Sequence, residues 1–161
     1  WSGDYGFTVP VSQQIIDYLT QKNQLIALER MMQVSDVVIP SRYSSGVNSI
    51  EQHYVNHHQP EHWVEFVEAI ARRFPEDRRY LDLFKLTNQN TAFNMFVMRR
   101  DLFNAYCEDL FAVLMPLFEK FGRGYGEYNN RYPGFLAERF LAFWIQKNGL
   151  KTFEVPMMML T

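Results

Sequence analysis

Apolar positions recur at helical spacing along most of the chain, and short β-branched runs interrupt them. Pro10, Val11 and Ser12 introduce a helical pattern that reaches about Leu19, and residues 24–32 repeat it with Leu25, Ile26, Leu28 and Met31. Residues 36–40 form a short apolar, β-branched run closed by Pro40, which predicts a buried strand, and residues 41–48 follow as a polar loop. Ser49 is suited to N-cap a helix running to about His58. Pro60 suits the first position of the next helix, whose Trp63, Val64, Phe66, Val67, Ile70, Ala71 and Phe74 recur until Pro75 stops it. Residues 77–86 predict a shorter helix with Tyr80, Leu81 and Phe84 on one face, and residues 87–91 a polar break.

The second half repeats this alternation on a larger scale. Residues 93–98 are apolar except for Asn94 and predict a second strand. From Asp101 the longest helix carries a stripe of Leu102, Phe103, Tyr106, Leu110, Phe111, Leu114, Leu117, Phe118 and Phe121, with a kink expected at Pro116. A loop of residues 122–134 leads to residues 135–145, which are apolar except for Glu138 and Arg139. A helix apolar on all sides is a buried helix. Asn148 and Gly149 read as its C-cap, and residues 152–156 as a last short strand. The fold class predicted is α/β and helix-dominated, with few short strands, in a single domain over residues 1–161.

Composition narrows the function. The 161 residues are 47% hydrophobic and 16% aromatic, with a formal net charge of -2. Arginine doublets at 72–73, 78–79 and 99–100 are scattered among acids, which argues against nucleic acid as the main partner, since phosphate binding needs a basic stripe. Cys107 is the lone cysteine and fits a reducing compartment. There is no apolar run of membrane-spanning length and no signal-peptide pattern, so the chain reads as soluble and cytoplasmic. Trp1 in place of Met, followed by Gly3, Asp4 and Gly6, leads us to expect an upstream part that this chain lacks.

Glu138 and Arg139 are the first candidates for chemistry, because buried charges are paired or put to use. Glu138 suits a general base or a sugar-hydroxyl acceptor, and Arg139 a cation for a phosphate or carboxylate; a structural ion pair is the alternative. In the loop of residues 122–134, Tyr125, Tyr128 and Tyr132 could stack on sugar faces while Asn129, Asn130 and Arg131 bind hydroxyls; a plain surface connector is the alternative. Asn94 needs hydrogen bonds from backbone or ligand. Arg42 and Tyr43 follow the carboxyl end of a strand, where open α/β sheets place ligands. His53, His57, His58 and His62 resemble a metal cluster, but Pro60 prevents one helix from aligning them and no metal motif is present; His58 alone is retained as a site candidate. Cys107 and residues 157–159 read as packing.

Four stretches then carry a resemblance. They are residues 36–43, the segment of Tyr54, His58 and Pro60, residues 93–108, and residues 131–139 with Gly134, Phe135, Glu138 and Arg139. Together they resemble a bacterial family of capsular and exopolysaccharide biosynthesis proteins, known as a domain of unknown function, whose members look like GT-A-type glycosyltransferases. The resemblance covers about residues 36–156. It implies transfer of a sugar from a nucleotide-sugar donor to a growing surface polysaccharide, capsule, exopolysaccharide or lipopolysaccharide. It implies peripheral association with the inner face of the membrane, and Mg or Mn as cation in the complete enzyme. It places the strand of Asn94 and the helix of Glu138 at the sugar cleft. The family's upstream nucleotide-binding half has no counterpart here, nor is there an Asp-x-Asp, so the chain resembles the C-terminal, acceptor-side part and expects an N-terminal domain as partner. Outside the resemblance, the residues alone are also compatible with a non-catalytic carbohydrate-binding or helical interaction module, or with a histidine metal-binding protein.

Overall fold

A computed structural model of the chain describes residues 7–91 and 93–161. The expectation attached to Trp1 falls outside that range, and the packing expected of Leu25, Met158 and Met159 concerns side chains outside those described. The described elements are β1 (Phe7–Val9), α1 (Gln13–Leu19), α2 (Lys22–Val34), β2 (Val37–Pro40), β3 (Tyr43–Ser44), α3 (Ile50–His57) and α4 (Pro60–Arg73). After a 3-10 turn (Pro75–Asp77) come α5 (Arg78–Leu86), β4 (Gln89–Asn90), β5 (Val97–Met98), α6 (Arg100–Phe121), α7 (Gly126–Asn129), α8 (Tyr132–Lys147), β6 (Thr152–Val155) and β7 (Met158–Leu160). The helix-dominated α/β class expected from the pattern is the class observed.

The centre of the molecule is α8. Ten of its 16 residues are buried, and it packs against α4, α5 and α6. Phe140, Leu141 and Phe143 have no exposed surface. Their neighbours are aromatic: the Phe140 ring lies 6.0 Å from Tyr106 and 6.0 Å from Phe143. Two tryptophan N–H groups at the edge of this core find carboxylates. Trp63 donates to Glu51 at 2.9 Å and Trp144 to Asp109 at 2.8 Å, so neither indole leaves a buried donor unsatisfied.

Local signals account for the helix ends. Ser49 caps α3 in a reciprocal box with Gln52, and Pro60 opens α4. Gly149, at φ +60, closes α8: its N–H reaches the Gln146 carbonyl while Leu150 N–H reaches Ile145. Those two bonds define a Schellman motif. The sheet is small. β2 is buried along its whole length, runs parallel to β6 with Val37 opposite Thr152, and runs antiparallel to β5 with Val37 opposite Met98.

Three expectations are corrected. The strand over residues 93–98 shrinks to Val97–Met98, because Phe93 adopts φ +59 and turns the chain at Phe93 and Asn94. The loop of residues 122–134 is shorter than expected, since α7 forms within it and α8 already begins at Tyr132. The stripe of α6 is narrower: Tyr106, Leu114 and Leu117 are buried, whereas Phe103 and Phe111 are exposed. The helix itself continues through Pro116, on its exposed side.

Two substitutions test this account. Phe140→Ala should destabilise the chain by about 3–5 kcal/mol, as an emptied aromatic site in a packed core does. Gly149→Ala meets nothing within 4 Å, so its cost is the left-handed backbone alone, about 1 kcal/mol. Denaturant titration should resolve the two losses and their ratio.

Candidate functional site

The first turns of α8 place the site. Glu138 and Arg139 are consecutive, so a helix sends them about 100° apart. Arg139 turns inward. It is 5% exposed and donates from one terminal nitrogen to the Phe135 carbonyl at 2.7 Å. The other reaches Nδ1 of His53 at 3.2 Å, and the guanidinium lies 5.0 Å from the centre of the Tyr54 ring. A cation is tolerated here because a carbonyl, an imidazole and an aromatic face surround it.

Glu138 turns outward and is half-buried. It borders a cleft of about 620 Å³ shared with Asn94, Arg123, Glu127, Arg131 and Gly134. Among the described residues no side chain hydrogen-bonds or ion-pairs with its carboxylate. Burial raises its pKa above the usual carboxylate range, and the nearby Arg139 and Arg131 only partly offset this. The two charges therefore do not form the sealed structural pair that was one expectation.

The facing wall is the segment around Asn94. Its amide donates to the Gly134 carbonyl at 3.4 Å, and the Thr91 hydroxyl donates to the Glu138 carbonyl at 3.4 Å. Arg131 lies at the cleft with its guanidinium 5.5 Å from the Phe135 ring centre. Asn130 contributes less than expected, since its Oδ1 accepts from the backbone N–H of Gly124 and Tyr125. The structure thus gathers Glu138, Asn94 and Arg131, and adds Arg123 and Glu127, which the sequence reading passed over.

The other candidates lie elsewhere. Tyr132 is 1% exposed, its hydroxyl donates to the Gly122 carbonyl at 3.3 Å, and its ring stacks on His62 at 4.1 Å; it is a core residue, not a platform facing the cleft. Arg42 is clipped to Glu154 through its backbone N–H (2.8 Å) and its guanidinium (2.6 Å), bordering a separate cleft. Tyr43 pairs with Asn90 across β3 and β4 and acts electrostatically on Arg139. His58 stacks on Phe135 at 4.4 Å without lining the cleft, and its Nδ1 is buried and unpartnered. Among the described residues no three His, Cys, Asp or Glu side chains are grouped to hold a metal.

The fold is helix-dominated packing around a small three-stranded sheet, with a polar cleft at the start of the buried helix. The chain is similar to part of a solved structure of WbbM, a bifunctional glycosyltransferase in its apo form, with a TM-score of 0.83 at 21% identity. That likeness covers 97% of this chain and 29% of the WbbM chain, so this chain spans under a third of the neighbour's length. Residues 10–149 match the family model for a domain of unknown function, DUF4422, and the chain belongs to that family. No curated protein matches it. No helix among the described residues is long and apolar enough to cross a membrane.

The histidines beside Arg139 give the molecule an acid-sensitive core. Burial first, and Arg139 second, lower the pKa of His53 and of His58 from 6.5 to about 4. Each stays neutral in the fold where the unfolded chain would bind a proton. Their contribution is therefore complete above about pH 6.5 and is lost as pH falls toward 4. Unfolding near pH 5 should take up about one proton at each of these two rings. His58→Phe, which keeps the stack on Phe135, should remove one of them; an unchanged pH slope in that variant would refute the assignment.

Proposed function

We propose that this chain is the acceptor-side part of a glycosyltransferase that moves a sugar from a nucleotide-sugar donor onto a growing bacterial surface polysaccharide. The observation that carries the reading is Glu138: a half-buried carboxylate with a raised pKa, unpaired among the described residues, at the edge of a polar cleft. The fold likeness to a glycosyltransferase supports it. So does the family resemblance read from residues 93–108 and 131–139.

In this reading the acceptor sugar lies in the cleft. Glu138 accepts a hydrogen bond from the attacking hydroxyl and takes its proton as the new glycosidic bond forms at the donor's anomeric carbon and that carbon's bond to the nucleotide diphosphate breaks, the nucleotide leaving with the electron pair; a raised pKa suits a carboxylate to this task. Arg131 and Arg123 stabilise negative charge at the cleft's mouth, and Asn94 orients a second hydroxyl. Arg139 serves as a positioning residue, holding the first turns of α8 against α3 through His53 and Tyr54. The donor diphosphate, and any Mg or Mn that neutralises it, belong to another part of the complete protein. Among the described residues no three His, Cys, Asp or Glu side chains come together to hold that cation. The reading assigns the protein to the cytoplasm, at the inner face of the membrane.

Glu138→Gln in the complete polypeptide should lower turnover about 100-fold or more, in the range typical of a lost general base. The same change should leave stability at pH 7 equal or higher. A folded-state pKa raised above the unfolded value means that ionisation opposes folding as pH rises through it, and the amide removes that opposition. The acid limb of the turnover profile, displaced upward from the ordinary carboxylate range, should vanish in the variant. Near-normal turnover with the limb intact would remove Glu138 from the chemistry.

A further inference from the structure

The longest helix turns an apolar row toward solvent. Phe103, Cys107, Phe111 and Met115 recur every fourth residue along α6, which lines them up on one face. Phe103 is 44% exposed, Phe111 57% and Met115 47%, while Cys107 is half-buried. The opposite face, with Tyr106, Val113 and Leu117, is buried where α4 and α8 pack. An exposed apolar row rimmed by charges marks a contact with another molecule. The charges around α6 fall into two sets. Arg73 pairs with Asp109 at 2.9 Å and Glu108 at 3.5 Å, Lys120 with Glu65, and Arg99 with Asp36 and Asp101. Arg100 and Glu119, exposed at the two ends of the row, have no ion-pair partner among the described residues. A helical rise of about 1.5 Å per residue sets them roughly 28 Å apart, too far to meet on one helix.

We propose that this face pairs with the same face of a second copy of the chain, the two α6 helices running antiparallel. The free charges select both the occupant and its direction. A row that is cationic at one end and anionic at the other is complementary to itself when reversed. Arg100 of each copy then meets Glu119 of the other, twice, about one two-fold axis. That axis falls midway along the row, where Cys107 and Phe111 of both copies close over it. A parallel pair sets arginine against arginine and glutamate against glutamate, which repulsion opposes. The aromatic and methionine side chains supply the affinity, because exposed ion pairs contribute little; the charges fix the register. Phe118, near the C-terminal end of α6, lines the Glu138 cleft, so the pairing sets the two clefts at opposite ends of the shared surface. None of this depends on the role of Glu138.

Sedimentation equilibrium of the 161-residue chain should show a monomer–dimer equilibrium. Phe111→Lys should raise the dissociation constant at least about 30-fold, the loss expected of a central aromatic anchor. Arg100→Glu and Glu119→Arg should each weaken pairing severalfold, and the two together should return it to the value of the unaltered chain. Such a rescue arises between copies, since the two positions are out of reach of each other within one. Met115→Lys gives a second change to the row, and thermal unfolding of every variant separates lost pairing from lost folding. A chain that stays monomeric at all concentrations overturns the proposal. So does a dimer that Phe111→Lys and Met115→Lys leave intact, or a double charge reversal that fails to rescue. A monomer that floats with vesicles of anionic phospholipid, and stops doing so in Phe111→Lys, also overturns it and makes the row a membrane contact.

Discussion

Two charged side chains that follow one another on a helix cannot share an environment when the helix is buried on nearly every side. That constraint organises this molecule. Arg139 goes into the core, where a carbonyl, an imidazole and a tyrosine ring accept it. Glu138, a third of a turn away, is left at the edge of a cleft. Had Arg139 bonded the carboxylate directly, the pair would have held the acid's pKa low. With the guanidinium engaged elsewhere, only its field reaches Glu138, and burial prevails.

The cost of seating Arg139 is distributed over α3. His53 offers its ring nitrogen and must stay neutral to do so. Tyr54 gives a ring face while its own hydroxyl remains buried without a partner, as does Nε of Arg139. Unsatisfied buried groups cost about 1–3 kcal/mol each, so this corner is destabilising unless the orientation of α8 requires it. The dense aromatic packing around Trp63, Phe66, Phe84 and Phe143 offsets that cost from the neighbouring core. The high aromatic share of the sequence is thereby explained largely by packing, and Tyr132 with it.

Much of this was legible before any coordinates. Ser49, Pro60, Pro75 and Gly149 are local signals whose meaning depends on their neighbours in sequence, and the helices begin and end where they say. The buried strand of residues 37–40 was legible for the same reason, a short β-branched run closed by proline. The two-residue strands Tyr43–Ser44 and Gln89–Asn90 were not, because two residues carry no periodicity. Residues 93–98 were misread because an apolar run with one amide looks the same in a strand and in a turn, and nothing local announces a phenylalanine at positive φ. Glu138 and Arg139 were visible as exceptions in an apolar helix, but which faced the core is a tertiary fact. Arg123 and Glu127 gave no signal beyond membership of a Gly- and Tyr-rich loop.

Two residues close to Asn94, one its neighbour in sequence and one its hydrogen-bond partner, go against local preference in opposite directions. Gly134 sits in the first turn of α8, where a Cβ would meet nothing within 4 Å and the backbone needs no special angle. Alanine would serve the helix better by about 1 kcal/mol. Across the cleft, the turn at residue 93 has the left-handed angle that glycine adopts freely, yet it carries a phenylalanine that is 41% exposed and stands outside the core cluster. Folding alone favours the exchange of both residue types. Gly134 lines the cleft and its carbonyl accepts the Asn94 amide, and the Phe93 ring next to Asn94 in sequence is left exposed. Departures from local preference that the fold does not need are where functional constraint is to be sought. Glu138, the half-buried acid that borders the same cleft as Gly134 and Asn94, is the group on which the proposed function rests.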